Sequence, residues 1–494
     1  MDIVDWLPEF QVSAETDLDL QRYFFRTPAV QKILDTPAWL VLGRKGTGKT
    51  AIYEYLRSAN PEVIDGYHTI PLNFRDYPWP AHKLYKEGLA GELSAYQKSW
   101  RYLFFVKLLS RLIEIKRENN ESLSSELKWA AKYIDVIYGN PDPTLGELIM
   151  SKLARLTKLK GPGVDLDDIS LDVGSVTFEE VAGSKDLQNH LRSNAFKLLA
   201  HFEAIFKQNV GEYRFLVILD QLDENWLAGE TEEYSKVLIN LVNVCRNVSL
   251  EFGSTKSVKV VPFLRSDIYQ SLRFNDKNKL LQDSAVVIKW NNESLDEMFF
   301  QRVMKYKPEG LELNLDKKTG AIFEVSFARQ GTPPFKYITR RSFFRPRDVI
   351  VYINKMRAIH KPNDSGLFST AELYEADKEA STSIYNELID EWSNQIPEIE
   401  RLLNVLQTIR IESFEYDFFQ EKFSLEFDGH PDGRSREKLQ FLFDNSIVGQ
   451  KKQGRWEYVC SVPNLKMNIE HSFRTHPALK YRLHLIERRA SQTD

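Results

Sequence analysis

An α/β fold, a parallel sheet flanked by helices, is what this sequence predicts, and three observations predict it. Short runs of strand length recur at residues 39–42, 67–74, 215–220, 258–264 and 285–290, separated by stretches of helical periodicity. The first run stops at a glycine and continues as Gly43-Arg44-Lys45-Gly46-Thr47-Gly48-Lys49-Thr50, which matches G-x-x-x-x-G-K-S/T at every fixed position. The third, FLVILD, is five apolar residues ended by Asp220, as expected of a central parallel strand buried on both faces.

The second observation is a P-loop, and its chemistry explains the spacing. Gly43, Gly46 and Gly48 let the backbone turn tightly, so that successive N–H groups converge on phosphate oxygens at the positive end of the following helix. Lys49 then reaches the β- and γ-phosphates and the Thr50 hydroxyl helps to hold Mg2+. Arg44, Lys45, Thr47 and Ala51 complete the candidate nucleotide-binding stretch, with ATP and Mg2+ as the expected cofactors. A glycine-rich turn without a ligand is the bland alternative; the strand before the loop and the helix start after it favour the nucleotide.

Composition sets outer limits. With 494 residues, 42% hydrophobic and 28% charged, the chain has the balance of a globular protein of roughly three compact units. No apolar run approaches bilayer-spanning length and the first six residues are acidic where a signal peptide would be basic, so a cytoplasmic protein with no membrane partner is expected. Cys245 and Cys460, far apart and without metal-ligand spacing, read as buried inert thiols. Lys and Arg number 66 against 70 Asp and Glu, which excludes a global positive field and makes any DNA contact local.

Taken in order, residues 18–34 form a helical lead-in, with Thr27-Pro28 as N-cap and first helical residue. Its aromatics read as packing. Residues 100–115 predict a long amphipathic helix, and 123–137, 144–156 and 186–206 predict further helices. Lys160-Gly161-Pro162-Gly163 and the acidic Asp165, Asp167, Asp168 and Asp172 interrupt them; the acids lack the glycine and glutamate of a calcium loop and read as a solvated segment. This helical insertion could form a lid or a partner surface.

Asp220 ends its strand where a carboxylate can hold the magnesium shell, and Asp223 or Glu224, just past it, is placed to polarise the attacking water. Arg265 ends the strand VKVVPFL; it either reaches the γ-phosphate or pairs with Asp267 in a turn. AVVIKW supplies a fifth strand, and Ser294-Leu295-Asp296-Glu297 reads as the cap of the next helix. In RRSFFRPRD, four guanidiniums (Arg340, Arg341, Arg345 and Arg347) crowd ahead of a helix at 348–357; Arg345 or Arg347 would sense nucleotide from a small helical lid, with salt bridges or nucleic-acid phosphate as the alternatives.

The tail predicts helices at 373–392, 396–409 and 434–443, a turn at 445–449 and a strand at 455–460, the layout of a winged helix with residues 450–454 as wing strand and turn. From residue 430 onward there are twelve Lys and Arg against seven Asp and Glu, so duplex DNA could meet Lys451, Lys452 and Arg455; protein interaction is the alternative. The expected divisions are 1–97 for the lead-in and first half of the P-loop NTPase core, 98–210 for the helical insertion and 211–310 for the second half of the core. A lid follows at 311–366, and a helical linker with the winged-helix-like domain at 367–494.

With GRKGTGKT, LVILDQLDE, FLRSD and FRPRD in this order, the sequence resembles bacterial P-loop ATPases of the additional-strand type, between the STAND and KAP groups and the origin-recognition-like AAA+ ATPases. The resemblance covers residues 20–360 and the winged-helix tail. It implies ATP rather than GTP, Lys49 and Thr50 on phosphate and Mg2+, Asp220 as the Walker B acid, Arg265 as first sensor and Arg345 or Arg347 as second. It also implies a setting in antiphage defence; a homo-oligomer is expected, and with no metal-ligand cluster or nucleophile constellation outside the ATPase motifs any effector is expected to be a separate chain. Gln221 stands where many AAA+ proteins have glutamate, which makes Asp223 the preferred base over Glu224 and predicts slow, switch-like hydrolysis. A DNA-binding initiator or clamp loader, and a nucleotide-binding scaffold without turnover, are the rival readings.

Overall fold

The computed structural model describes residues 1–82, 92–149, 178–223, 231–427, 432–462 and 464–487. The chain forms two compact units: a sheet unit of Pro28–Arg44 and Lys49–Ile288, and a helical unit of Met1–Thr27, Lys45–Gly48 and Lys289–Asp494.

The sheet unit follows the order β1 (Leu40–Gly43), α1 (Lys49–Ser58), β2 (Tyr67–Asn73), α2 (Glu92–Glu118), α3 (Ser125–Tyr138), α4 (Lys185–Asn209), β3 (Arg214–Asp220), α5 (Thr231–Glu251), β4 (Val258–Arg265) and β5 (Ala285–Val287). All strand pairs are parallel, in the order β2-β3-β4-β1-β5. β4 is therefore the additional strand between the loop-bearing β1 and the acid-bearing β3, and the fold is an α/β P-loop NTPase core. Register sets Gly43 opposite Arg265 and Asn73 opposite Asp220, so the residues that end these strands gather at one edge of the sheet. β5 is shorter than the sequence pattern, ending at Val287, although the Ile288 amide still donates to the Leu42 carbonyl at 2.8 Å.

α2 differs from its sequence expectation. Residues 102–110 are buried without interruption, so it is a core helix and not an amphipathic one. The reason is its place: α3, α4, α5 and β2 all pack on it. Trp100, Phe104, Phe105, Phe202, Phe206 and Phe215 share one apolar core, which builds α2 and α4 into the layer flanking the sheet. Of the helix predicted at 144–156, the described part is Leu145–Ile149; the glycine-rich break and the acidic cluster lie outside the described residues.

In the helical unit, α6 (Asn292–Tyr306) is capped by Asn291, whose side chain accepts from the Ser294 amide while Ser294 returns the bond, three residues earlier than the cap read from sequence. The expected lead-in is two pieces: Pro28–Asp35 belongs to the sheet unit, whereas Leu20–Tyr23 packs on α6, with Tyr306 donating to Asp19 at 2.7 Å. α7 (Pro346–Ile359) starts with proline at its first position and α8 (Thr370–Trp392) with a Ser369/Glu372 capping box.

Then come α9 (Ile399–Ile409), β6 (Ser413–Phe414), α10 (Tyr416–Glu426), α11 (Asp432–Asp444), β7 (Val448–Lys452), β8 (Arg455–Glu457) and β9 (Phe473–Thr475), with antiparallel sheet order β6-β9-β7-β8. Three helices, a short strand and a hairpin are the winged-helix plan. The wing turns at Gln453 and Gly454, both at positive φ, as a two-residue hairpin turn requires. Val448 and Gly449 are strand and not turn, β8 stops at Glu457, and α10 was not anticipated. Cys245 is buried, which pushes its thiol pKa up, whereas Cys460 is only half-buried, not the core thiol expected.

The N-terminal segment is held to α7 by polar contacts. The Arg357 guanidinium donates to the Leu7 carbonyl at 2.8 Å and Asn354 bonds both backbone groups of Phe10. His360 lies 2.9 Å from Asp2 and 3.0 Å from Glu372. Burial alone would depress its pKa, but the two carboxylates outweigh that and raise it. A raised imidazolium contributes stability that is complete below the free-histidine value and is lost as pH rises through the folded value. Amide-exchange protection of Ile3–Trp6 is therefore expected to fall with rising pH above about 6.5, and His360→Gln to flatten that profile; a pH-independent wild type would refute it.

Candidate nucleotide site

β1 delivers the chain to Gly43 at the edge of the sheet, and the loop that follows uses conformations open to glycine: φ is +77° at Gly46 and +90° at Gly48. A Cβ on Gly46 would meet Arg345 Cδ and Arg347 Cβ at 3.4 Å each, so the backbone here is approached closely by arginine stems. The Trp290 indole N–H donates to the Thr47 carbonyl at 2.9 Å, which ties the loop tip.

Within the sheet unit, Lys49 opens α1 and is buried, its ammonium donating to the carbonyls of Gly43 at 3.2 Å and Arg44 at 3.3 Å. Burial lowers its pKa, opposed by Asp223 and Asp220. Thr50 is hydrogen-bonded to Asp220, and Ala51 follows in the same helical turn. Asp220 is 2% exposed, and burial pushes its pKa up to about 6 against the pull of Lys49, Thr50 and the Gln221 amide. Among the described residues its Oδ2 atom has no hydrogen-bond partner. A buried, unsatisfied carboxylate oxygen beside a threonine hydroxyl fits Mg2+, which keeps most of its shell as water and phosphate and takes one or two protein ligands.

Past Asp220 the chain turns through Gln221, buried at φ +60°, a conformation costly for a residue with a side chain. The turn is held from outside: Tyr234 of α5 donates to the Leu222 carbonyl. Asp223 is half-buried, 3.7 Å from Arg265 Nη1. Arg265 forks onto Asp267, with Nε to Oδ1 at 3.1 Å and Nη2 to Oδ2 at 2.7 Å, so the turn pairing foreseen as the alternative is present. Glu224 lies outside the described residues.

Within the helical unit, Arg345 is buried and donates to Glu391 at 2.8 Å, Arg347 bonds Glu387, and Lys45 of the loop tip lies 3.1 Å from the same Glu387. Arg341 instead bonds Asp377 at 2.6 Å in a core network with Tyr337. Sequence reasoning missed Glu387, Glu391, Trp290 and Tyr234. Only the glutamates left a signal, an acidic pair four residues apart on one helical face, and nothing in the sequence said which cations it would meet.

The tail shows two kinds of cation. Arg434 and Lys438 on α11 are bound to Glu398 at 3.2 and 2.8 Å, and the hydrogen bond from Lys438, chiefly, draws the Glu398 pKa down to about 2. Lys451, Lys452 and Arg455 on the wing are exposed, with Lys451 5.9 Å from the Trp456 ring centre. Among the described residues no helix is long and apolar enough to cross a membrane, and no group of three or more His, Cys, Asp or Glu could hold a metal ion on its own.

Comparison with known proteins adds the following. A family model described as the FunZ-associated C-terminal helical domain matches residues 293–389, from the first turn of α6 into α8. No curated protein matches the chain. Among solved structures, the ORC2 protein of Aeropyrum pernix in its ADPNP–ADP complexes is 13% identical over 95% of this chain and 96% of its own, with a TM-score of 0.41. The Aeropyrum pernix ORC1 protein in complex with DNA is 12% identical over 97% and 95%, TM-score 0.34. Cdc6p of Pyrobaculum aerophilum is 11% identical over 93% and 92%, TM-score 0.26. The assignment of the fold rests on the strand order and the loop themselves.

Proposed function

We propose that this chain is an ATP-binding and slowly hydrolysing molecular switch. The observation that carries the reading is Thr50, which ends a complete phosphate-loop motif and is hydrogen-bonded to Asp220, a buried carboxylate with one oxygen unsatisfied among the described residues. Lys49 and the backbone amides of the loop would hold the phosphates, and Thr50 and Asp220 would hold Mg2+. When bound, that ion supplies charge neutralisation between the β- and γ-phosphates.

Asp223 is the residue proposed to orient water and accept its proton, with Glu224 second; Arg265, Arg345 and Arg347 are the proposed sensors. Slow turnover is supported by Gln221 in the place of a glutamate and by Asp223 lying 3.7 Å from Arg265 Nη1, which engages the carboxylate proposed to orient the water. The switch would act on a separate effector chain, as a homo-oligomer and in a bacterial antiphage setting, a context that rests on the STAND/KAP-like resemblance alone.

A second reading, DNA-stimulated turnover, is favoured by the exposed wing cations Lys451, Lys452 and Arg455. The test is phosphate release with ATP and with GTP, each with and without duplex DNA, against Lys49→Ala as blank. ATP turnover absent in the blank supports the switch. Stimulation by DNA that weakens with salt and is lost on replacing the three wing cations would favour the second reading. Binding without turnover, with function undiminished by Asp223→Ala, would make the chain a scaffold.

A further inference from the structure

The cations that stand against the loop tip are all held by one helix. Glu387 and Glu391 lie one turn apart on α8, a spacing at which two carboxylates repel each other unless cations neutralise them. Here Glu387 takes both Lys45, at 3.1 Å, and Arg347, while Glu391 takes Arg345 at 2.8 Å. The two arginines flank Gly46 closely enough that a Cβ there would touch them both. Arg345 and Glu391 have side-chain exposures of 4% and 1%, and among the described residues Arg345 Nε has no hydrogen-bond partner; Glu387, Lys45 and Arg347 are exposed by 27%, 28% and 32%. The inner pair is too deeply desolvated to part cheaply, whereas the outer trio can exchange partners against water.

The same helix is tied to the winged-helix end of the chain. Trp392 meets Phe441 of α11 edge-on at 5.0 Å, the Arg482 amide donates to Ser381 at 3.1 Å, and the Arg482 guanidinium covers Tyr385 at 4.3 Å.

Building on the nucleotide reading of the loop, we propose that Glu387 is a displaceable stand-in for the terminal phosphate. A nucleoside triphosphate competes with it for Lys45 and Arg347, a diphosphate does not, and the released α8 carries the difference to the winged helix. The buried Arg345–Glu391 pair is the pivot that persists in both states.

The test uses the full chain. Glu387→Gln removes the competing charge and keeps the shape, and is expected to tighten binding of a non-hydrolysable ATP analogue about tenfold while moving ADP affinity less than twofold. Equal tightening for both, or no change in either, overturns the latch and leaves the nucleotide site standing. A wild-type chain that binds neither nucleotide overturns the site and the latch together. Hydrogen exchange on the wild type needs no variant: amides of residues 385–392 should lose protection with the ATP analogue and keep it with ADP. Identical protection in the two states also overturns the proposal.

Discussion

Lys49→Ala is expected to weaken ATP binding at least a hundredfold, about 2.7 kcal/mol. The side chain is buried with its ammonium donating to the carbonyls of Gly43 and Arg44, an arrangement that keeps a desolvated cation at the phosphate loop before any phosphate arrives. Asp223 and Asp220 oppose the lowering of its pKa by burial. Charge-assisted bonds from a lysine already desolvated and oriented are stronger than those from a surface lysine, because neither the ordering nor the dehydration has to be provided on binding. Alanine also removes the cation that restrains the Asp220 pKa, so the variant should lose Mg2+-dependent nucleotide binding more completely than Mg2+-independent binding. Calorimetric titration of wild type and variant, with and without Mg2+, measures both. Unaltered affinity would remove the loop from the reading.

How much of this was legible in the sequence differs from element to element. β1, β3 and β4 were readable because a parallel strand covered on both faces is apolar along most of its length, and the P-loop because glycine is nearly the only residue that tolerates φ values such as those at Gly46 and Gly48. α2 was legible as a helix and misjudged as amphipathic, since the sequence shows its residues but not the three helices and one strand that surround it. α10 escaped because only Phe419 and Phe423 of its eleven residues are buried, too few for a period to emerge. Partnerships were the least legible: which acids meet Arg345 and Arg347 depends on bringing α7 and α8 side by side, and Asp2 reaches His360 only through the docking of the N-terminal segment. Local chemistry writes itself in short motifs. Long-range charge pairing does not, because any glutamate on the surface of a helix looks the same before its neighbour is known.

Asp220→Asn separates the carboxylate's proposed chemistry from any structural duty. The amide keeps the size of the side chain and can still bond Thr50, but it gives up the negative charge that would hold Mg2+. Hydrolysis is expected to fall about a thousandfold, the scale on which charge stabilisation at a transferring phosphoryl group acts, while Mg2+-independent nucleotide binding changes by less than about threefold. Stability should move in the opposite direction. In the wild type an ionised carboxylate is buried with one oxygen unsatisfied and with Lys49 only partly offsetting the cost, as the upward displacement of its pKa to about 6 records. A neutral amide avoids most of that cost, so in EDTA at pH 8 the variant should be more stable by about 1–3 kcal/mol in denaturant titration. Gain of stability with loss of turnover is the signature of a group held in an unfavourable state for function. Loss of both would make Asp220 a structural residue, and retention of turnover would move the magnesium ligand elsewhere.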